Sequence, residues 1–442
     1  MALRLPSLTF AVLLCWSGYG LAETPKAADP IPKSVLPLED LRVFTKAYEH
    51  IRNAYIKEID DKTLLEYAIR GMLDQLDPHS SYLDASSFDD LQVHTTGEFG
   101  GLGIEVGMEG GFVKVISPID DTPASRAGIE AGDLIIKIDD TTLKGLSLND
   151  AVNRMRGPKG SKIVLTIVRE GRDQPFDVTL VRDTIKVRSV RTEVMDDQYL
   201  YIRIAQFQVN TGKDVLEAIK KAKKDHKLQG LILDLRNNPG GVLQASVEVA
   251  DAFLDGGTVV YTEGRMLQSN FSYKAEPGDA SEGLPIVVLI NEGSASASEI
   301  VAGALQDHRR ALVMGTRSFG KGSVQTVIPI TDEKAVKLTT ALYFTPNGRS
   351  IQAQGIEPDI VIERATLTAL KGTTLTEAQL AGHLENGKDG KDIKAKEREA
   401  ERSKLLEDLQ GKDNQLYEAL NMLKGLSFFQ KSPSTQTAAK TQ

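Results

Sequence analysis

Apolar residues recur at intervals of three and four between Leu38 and Leu76: first Leu41, Phe44, Tyr48, Ile51 and Tyr55, then Leu64, Leu65, Ala68, Met72 and Leu76. That spacing predicts a helical hairpin. From Gly97 to Arg182 the pattern changes to short apolar runs between glycine turns, strongest at Phe112 to Ile116, Leu134 to Ile138 and Ile163 to Val168, which predict strands. One helix interrupts them, opening at Ser147-Leu148-Asn149-Asp150, a capping-box pattern, and stopping at Gly157-Pro158. About 85 residues of this texture make a small β-rich module.

From Tyr199 to Ile362 strands alternate with helices. Leu231-Ile232-Leu233 and Ile286-Val287-Val288-Leu289-Ile290 are continuous apolar runs, as expected of strands buried on both faces of a sheet. Each leads through a glycine-containing turn into a helical pattern, so this segment is an α/β domain. Ligands in such folds gather outside the carboxyl ends of the strands, which places the chemistry near Asn237 to Gly241 and Gly293 to Glu299. Residues 378 to 415 are dense in Lys, Glu and Asp, and Leu416, Leu420 and Leu423 form a short apolar stripe at helical spacing. So short a stripe favours a helix packed on its own domain over an interaction helix. Residues 432 to 442 have the composition of disorder.

Composition narrows the class. The 442 residues include one cysteine, and 53 basic against 61 acidic residues leave a net charge of -8, so no attraction to nucleic acid or to an anionic membrane is expected. The cysteine, Cys15, lies in the apolar stretch Leu8 to Trp16, behind Arg4 and before Gly20-Leu21-Ala22. This reads as a secretory signal cleaved after Ala22, the stretch being shorter than the roughly 20 residues of a membrane span. Leu13-Leu14 before Cys15 argue against a lipoprotein, whose peptidase needs a small residue there. Residues 23 to 37, rich in Pro, Ala and Lys, read as a flexible leader.

The segment Gly293-Ser294-Ala295-Ser296-Ala297-Ser298-Glu299 falls where a buried strand gives way to a helix. A serine there has its hydroxyl at the positive end of the helix dipole, which favours an alkoxide and a developing oxyanion. Ser296 to Glu299 is equally a capping box, so a nucleophile needs a partner base. Among the six histidines, His308 would sit about 18 Å along the helix from Ser296, and His79, in the turn-like Asp77-Pro78-His79-Ser80, reads as structural. Lysine is the other base. Lys321 stands between Gly320 and Gly322, where a backbone free to bury its side chain would lower its pKa toward the range of a general base. Gln325 could orient the amine without adding charge.

Two rivals fail. Gly315 to Lys321 matches the first seven positions of a phosphate-binding P-loop, but Gly322 stands where Ser or Thr should hold magnesium, and the β-branched run Val324 to Ile330 predicts strand where a P-loop opens a helix. Zinc has neither HExxH nor paired cysteines, and neither a metal nor any other cofactor is expected. The turn Asn237-Asn238-Pro239-Gly240-Gly241 closes a buried strand, and amides of Gly240 and Gly241, with that of Ala297, could form an oxyanion hole.

Taken together, Leu76-Asp77-Pro78-His79-Ser80, Gly100-Gly101-Leu102-Gly103-Ile104, Leu233 to Gly241, the serine-rich segment and Phe319-Gly320-Lys321-Gly322 resemble, in order, the motifs of the C-terminal processing peptidases, or tail-specific proteases, of bacterial periplasmic type. The likeness runs from about Leu38 to Glu363. It implies an α/β (α+β multidomain) protein: a crotonase-like αβ catalytic core with an inserted PDZ domain and helical N- and C-terminal regions. The implied boundaries are a signal peptide over 1–22, the leader over 23–37, an N-terminal helical region over 38–96, the PDZ domain over 97–183, the core over 184–364, a C-terminal helical region over 365–431 and a disordered tail over 432–442.

The resemblance also implies roles. Ser296 is the nucleophile, Lys321, 25 positions on, its base and Gln325 the orienting third member. Gly101, Leu102, Gly103 and Ile104 would present N–H groups to a substrate's terminal carboxylate while the peptide adds as a strand. It implies a serine endopeptidase of the periplasm acting on proteins with free C-termini, a homo-oligomer assembled through the 38–76 hairpin and the Leu416 to Leu423 stripe, and work with a lipoprotein adaptor. The competing class is a non-catalytic PDZ scaffold, and a third reading is a Ser-His hydrolase using His308.

Overall fold

From Tyr199 to Asp307 strands and helices largely alternate as expected, but from Leu312 to Val361 four strands follow one another with no helix between them. The computed structural model describes residues 37–119, 121–366 and 411–431; the expected signal peptide, nearly all of the leader, most of the charged run 378–415 and the final residues 432–442 lie outside them. Among the described residues no helix is long and apolar enough to cross a membrane. The chain divides into two compact units between Ala68 and Ile69.

In the first unit the predicted hairpin is present as Leu38–Ala54 and the start of a second helix, Asp61–Asp74. Tyr48 donates to Asp61 at 2.8 Å and Arg52 pairs with the same carboxylate at 2.9 Å. The first helix buries none of its residues, and its apolar positions Leu41, Phe44, Ile51 and Val43 stay exposed.

The second unit is built on a six-stranded sheet in the order Val190–Met195, Tyr199–Ile204, Gly230–Asp234, Ile286–Ile290, Leu312–Gly315, Ile360–Val361. The first pair is antiparallel and the other four pairings are parallel. Both apolar runs picked out from the pattern are buried at every residue, because the sheet is covered on both faces. Ile286, Val288 and Ile290 point to one side, where they join Val215 and Ile219 of helix Thr211–Asp225, Val247 and Val249 of helix Leu243–Asp251, and Ile300 and Val301 of helix Ala297–Asp307. Val287 and Leu289, one residue out of phase, face the other side, as the period of two requires.

That other side is closed by helix Asn414–Lys431 through Leu416, Ala419, Leu420 and Leu423. Burying a leucine is worth about 1.5–3 kcal/mol, so three of them dock this helix firmly. The stripe therefore packs on its own sheet, as its shortness favoured, and the subunit contact assigned to it by the resemblance is corrected: its leucines are buried already. A bidentate pair from Arg236 to Asp413, at 2.7 and 2.8 Å, ties the start of this helix to the end of strand Gly230–Asp234.

A second sheet links Ser81–Leu83, Lys334–Phe344, Gly257–Gly264 and Ser272–Ala275, with Ser323–Thr331 also pairing to Lys334–Phe344. Strand Ser81–Leu83 lies far upstream in the chain, yet it pairs with Lys334–Phe344 in the register Ser81 to Lys337. The β-rich module thus interrupts a domain begun before it. Its five main strands run in the order Ile104–Glu109, Phe112–Pro118, Leu134–Ile138, Lys162–Val168, Phe176–Val181, around a core of Val113, Val115, Ile135, Ile163, Leu165 and Ile167. Its helix is Leu148–Met155, with the Ser147 hydroxyl accepting from the Asp150 N–H at 3.2 Å.

Candidate active site

Three loops meet at the carboxyl ends of three neighbouring parallel strands. Gly230–Asp234 runs into the turn 237–241, Ile286–Ile290 into the serine-rich segment, and Leu312–Gly315 into the segment that carries Lys321. Hydrogen bonds lock the loops together. The Asn238 carbonyl accepts from the Ala295 N–H at 2.9 Å, Asn237 and Asn291 exchange two bonds of 2.7 and 2.9 Å, and the Phe319 N–H donates to the Ser294 carbonyl at 3.0 Å.

The three serines have different fates. Ser294 is buried and its hydroxyl donates to the Leu235 carbonyl at 2.8 Å; Ser298 is buried and donates to the Asn238 carbonyl at 3.0 Å. Both are structural. Ser296 is partly exposed and caps helix Ala297–Asp307 with φ +57° and ψ −114°, a strained backbone for a residue with a Cβ. Such a sharp strand-to-helix elbow pushes a serine hydroxyl clear of the surrounding chain. Gly240 has to be glycine here, since a Cβ on it would lie 2.7 Å from the Cβ of Ser296.

Lys321 is half-buried. Burial pushes its pKa below the usual lysine value, repulsion from Lys337 adds to this, and Asp77 and Glu299 oppose it. The flanking glycines act less through flexibility than through close approach: a Cβ on Gly322 would meet the Gln352 backbone nitrogen at 2.5 Å. Past Lys321 the chain enters strand Ser323–Thr331, which agrees with the rejection of a P-loop.

Glu299 joins Ser296 and Lys321. Its fully buried carboxylate accepts from the Ser318 hydroxyl and Gly320 N–H on Oε1, both at 2.6 Å, and from the N–H groups of Ser296 and Lys321 on Oε2, at 2.7 and 2.9 Å. A single oxygen therefore holds the backbone of both residues. Burial raises this carboxyl above its usual pKa, and the four donors pull it back toward ionisation. Buried Tyr343 adds to the anchorage of the lysine: its hydroxyl donates to the Lys321 carbonyl. The pattern carried Glu299 only as the last letter of a capping box and carried Tyr343 not at all.

The remaining expected residues are placed as follows. The Gln325 amide nitrogen donates to the Ser323 hydroxyl at 3.0 Å and the Thr339 hydroxyl at 3.3 Å. The Gly240 N–H is taken by the Asn238 side chain at 2.9 Å, which corrects its place among the oxyanion donors: Gly240 supplies room beside Ser296. The Ala297 N–H opens a helix and so has no partner one turn back, and Gly241, which follows Gly240 in the turn, is exposed. His308 is engaged elsewhere, with Nε2 2.7 Å from the Thr258 carbonyl, which removes the Ser-His reading.

In the β-rich module, Gly101 ends strand Glu98–Gly101, Leu102 is buried, and Ile104 opens strand Ile104–Glu109 at an edge of the sheet. The carbonyls of Leu102 and Gly103 accept from the N–H groups of Ala124 and Ile119 at 3.0 and 2.8 Å. In a trans peptide the N–H points opposite to the C=O, so the N–H groups of Gly103 and Ile104 are directed away from that segment.

Comparison with known proteins bears on this architecture. A model of peptidase family S41 matches residues 198–362, a PDZ domain model matches 100–180, and the activating protease CtpB N-terminal domain matches 20–87. A carboxy-terminal-processing protease of Bartonella bacilliformis is 52% identical over 351 residues, covering 78% of this chain and 81% of that protein. The chain belongs to peptidase family S41. This S41 peptidase is also 35% identical to a carboxyl-terminal-processing protease of Synechocystis sp., over 86% of the chain and 93% of that protein. The carboxy-terminal processing protease CtpA of Bacillus subtilis is 38% identical over 72% of the chain and 68% of its own length. The S41 peptidase is accordingly a serine protease carrying a PDZ domain, which decides against a non-catalytic scaffold.

Glu299→Ala in the S41 peptidase should lower kcat by about 100-fold, the scale of an ångström-sized misplacement of reacting groups. It would strand four donors, each costing roughly 1–3 kcal/mol when buried and unpaired, so the melting temperature should fall as well. Calorimetry alongside initial rates checks both effects.

Proposed function

We propose that this S41 peptidase is an exported endopeptidase that uses a Ser-Lys dyad, takes substrate proteins by their free C-termini and processes or degrades proteins of the bacterial envelope. The observation that carries the dyad is the single Glu299 oxygen to which the amides of Ser296 and Lys321 both bond, together with the structural use of Ser294 and Ser298. Ser296 Oγ attacks the scissile carbonyl as Lys321 Nζ takes its proton; Lys321 returns that proton to the leaving amine, and water then releases the acyl group. The amides of Ala297 and Gly241 receive the negative oxygen of the intermediate. Gln325 orients the amine.

Substrate capture rests on the PDZ domain. The N–H groups of Gly103 and Ile104, next to Gly101 and Leu102, receive the terminal carboxylate, and the last residues of the substrate add to edge strand Ile104–Glu109. Export rests on the signal-like first 22 residues, and a periplasmic site of action follows from it. The exposed face of helix Leu38–Ala54 that carries Leu41, Phe44 and Ile51 is assigned to contacts between copies of the chain, and a lipoprotein adaptor would join that assembly.

One substrate prepared with a free and with an amidated C-terminus tests the capture step. A hydrogen-bonded charge is worth about 1.5–3 kcal/mol, so amidation should weaken kcat/KM about 10- to 100-fold. Equal cleavage of both forms would remove the carboxylate from the mechanism.

A further inference from the structure

The turn Asp77 to Ser80 is not accounted for by any step above, yet it is built into the site. Asp77 Oδ1 accepts from the N–H groups of His79 and Ser80, at 2.8 and 3.0 Å, and from the Thr339 hydroxyl at 3.1 Å. Its Oδ2 accepts from the Ser80 hydroxyl at 2.7 Å, and that hydroxyl in turn accepts from the Thr339 N–H at 3.1 Å. Thr339 is gripped at both its backbone and its side chain.

On its other side Thr339 faces Gln325. The two are directly paired across strands Ser323–Thr331 and Lys334–Phe344, after a register shift between Val324 and Gln325. A hydroxyl has one proton to give: Thr339 gives it to Asp77 and accepts from the Gln325 amide nitrogen at 3.3 Å. Thr339 and Ser323 between them hold the Gln325 amide nitrogen. Asp77 also faces Lys321 electrostatically, in company with Lys337 on the strand, His79 on the turn and Glu299 at the helix start.

We propose that Asp77 is a positioning residue for peptide cleavage, acting through Thr339 to hold the Gln325 carboxamide and through its charge to hold the Lys321 amine. This rests on the Ser-Lys reading. Hydrogen bonds from Ser80, the His79 N–H and Thr339 outweigh burial and keep the Asp77 carboxyl below its usual pKa, so the charge is present throughout the working range. The hydrogen-bonded chain runs from the turn before strand Ser81–Leu83, across some 260 residues of sequence, to Gln325.

Thr339→Val, Thr339→Ser and Asp77→Asn test it, with kcat, KM, the pH profile of kcat/KM and the melting temperature read on each folded protein. Thr339→Val should lower kcat roughly 10- to 100-fold with KM unchanged, and Thr339→Ser, which keeps the hydroxyl, should restore it. Asp77→Asn removes the negative charge that favours the ammonium, so the acidic limb of the profile should move to lower pH. A Thr339→Val protein with wild-type kcat, or a Thr339→Ser protein as slow as the valine variant, would overturn the proposal. So would an Asp77→Asn profile that does not move. If Asp77→Asn does not fold, the Thr339 pair decides alone. Failure of the underlying dyad would show separately, as turnover by Ser296→Ala.

Discussion

Ser296→Ala should reduce kcat by about four to six orders of magnitude, the scale on which a serine protease loses turnover with its nucleophile, while the chain stays folded and still binds a C-terminal peptide. Neighbouring serines offer no rescue. The hydroxyls of Ser294 and Ser298 are buried and committed to the carbonyls of Leu235 and Asn238. The Tyr343 hydroxyl keeps its bond to the Lys321 carbonyl in this variant. Hydrolysis of a labelled peptide, with calorimetry as the control for folding, gives the answer, and a Ser296→Ala protein within tenfold of wild type would refute the assignment.

Lys321→Ala should fall almost as far, by roughly three to four orders of magnitude, since the residual rate would come from binding and the oxyanion donors alone. Lys321→Arg should be no better, because a guanidinium keeps its proton at any working pH. The sign of the pH dependence follows from the surroundings. With Lys321 as the base of the proposed dyad, activity requires the neutral amine and should rise with pH through the lysine pKa. Burial and Lys337 depress that pKa, which puts the acidic limb of kcat/KM below where an exposed lysine would place it. Lys337→Gln removes one repelling charge, so the pKa rises and the limb moves to higher pH. A limb that stays in place would mean that some other group controls the reaction.

Much of this could be read from the pattern of residues, and the reason is local. The doubly buried runs at Leu231 and Ile286, the capped helix after Ser147 and the serine-rich helix start are each made by residues within a few positions of one another. What escaped reading depends on distant parts of the chain. Thr339 looks like any β-branched strand residue until strand Ser81–Leu83 is laid beside it. Tyr343 becomes part of the site only because strand Lys334–Phe344 passes under Lys321. A glycine turn after a buried strand offers free amides, which makes Gly240 look like a donor, but the Asn238 side chain reaches two residues forward and accepts from that amide. The Leu416 stripe was ambiguous for a different reason: helical spacing shows that a face is apolar and does not name what covers it.

The insertion of the PDZ domain bears on how such a protease can diversify. Strand Glu98–Gly101 enters the module and Asp183–Lys186 leaves it, and the two are paired antiparallel, Glu98 against Lys186 and Gly101 against Asp183. The chain therefore departs from and returns to the core at neighbouring points, and all of its parallel strands lie on the far side of that gap in the sequence. A module attached in this way is a cassette. Its edge strand and the loop before it can be exchanged or reshaped without moving Ser296, Lys321 or Glu299, so what the module binds and how peptide bonds are cut are free to evolve on separate schedules.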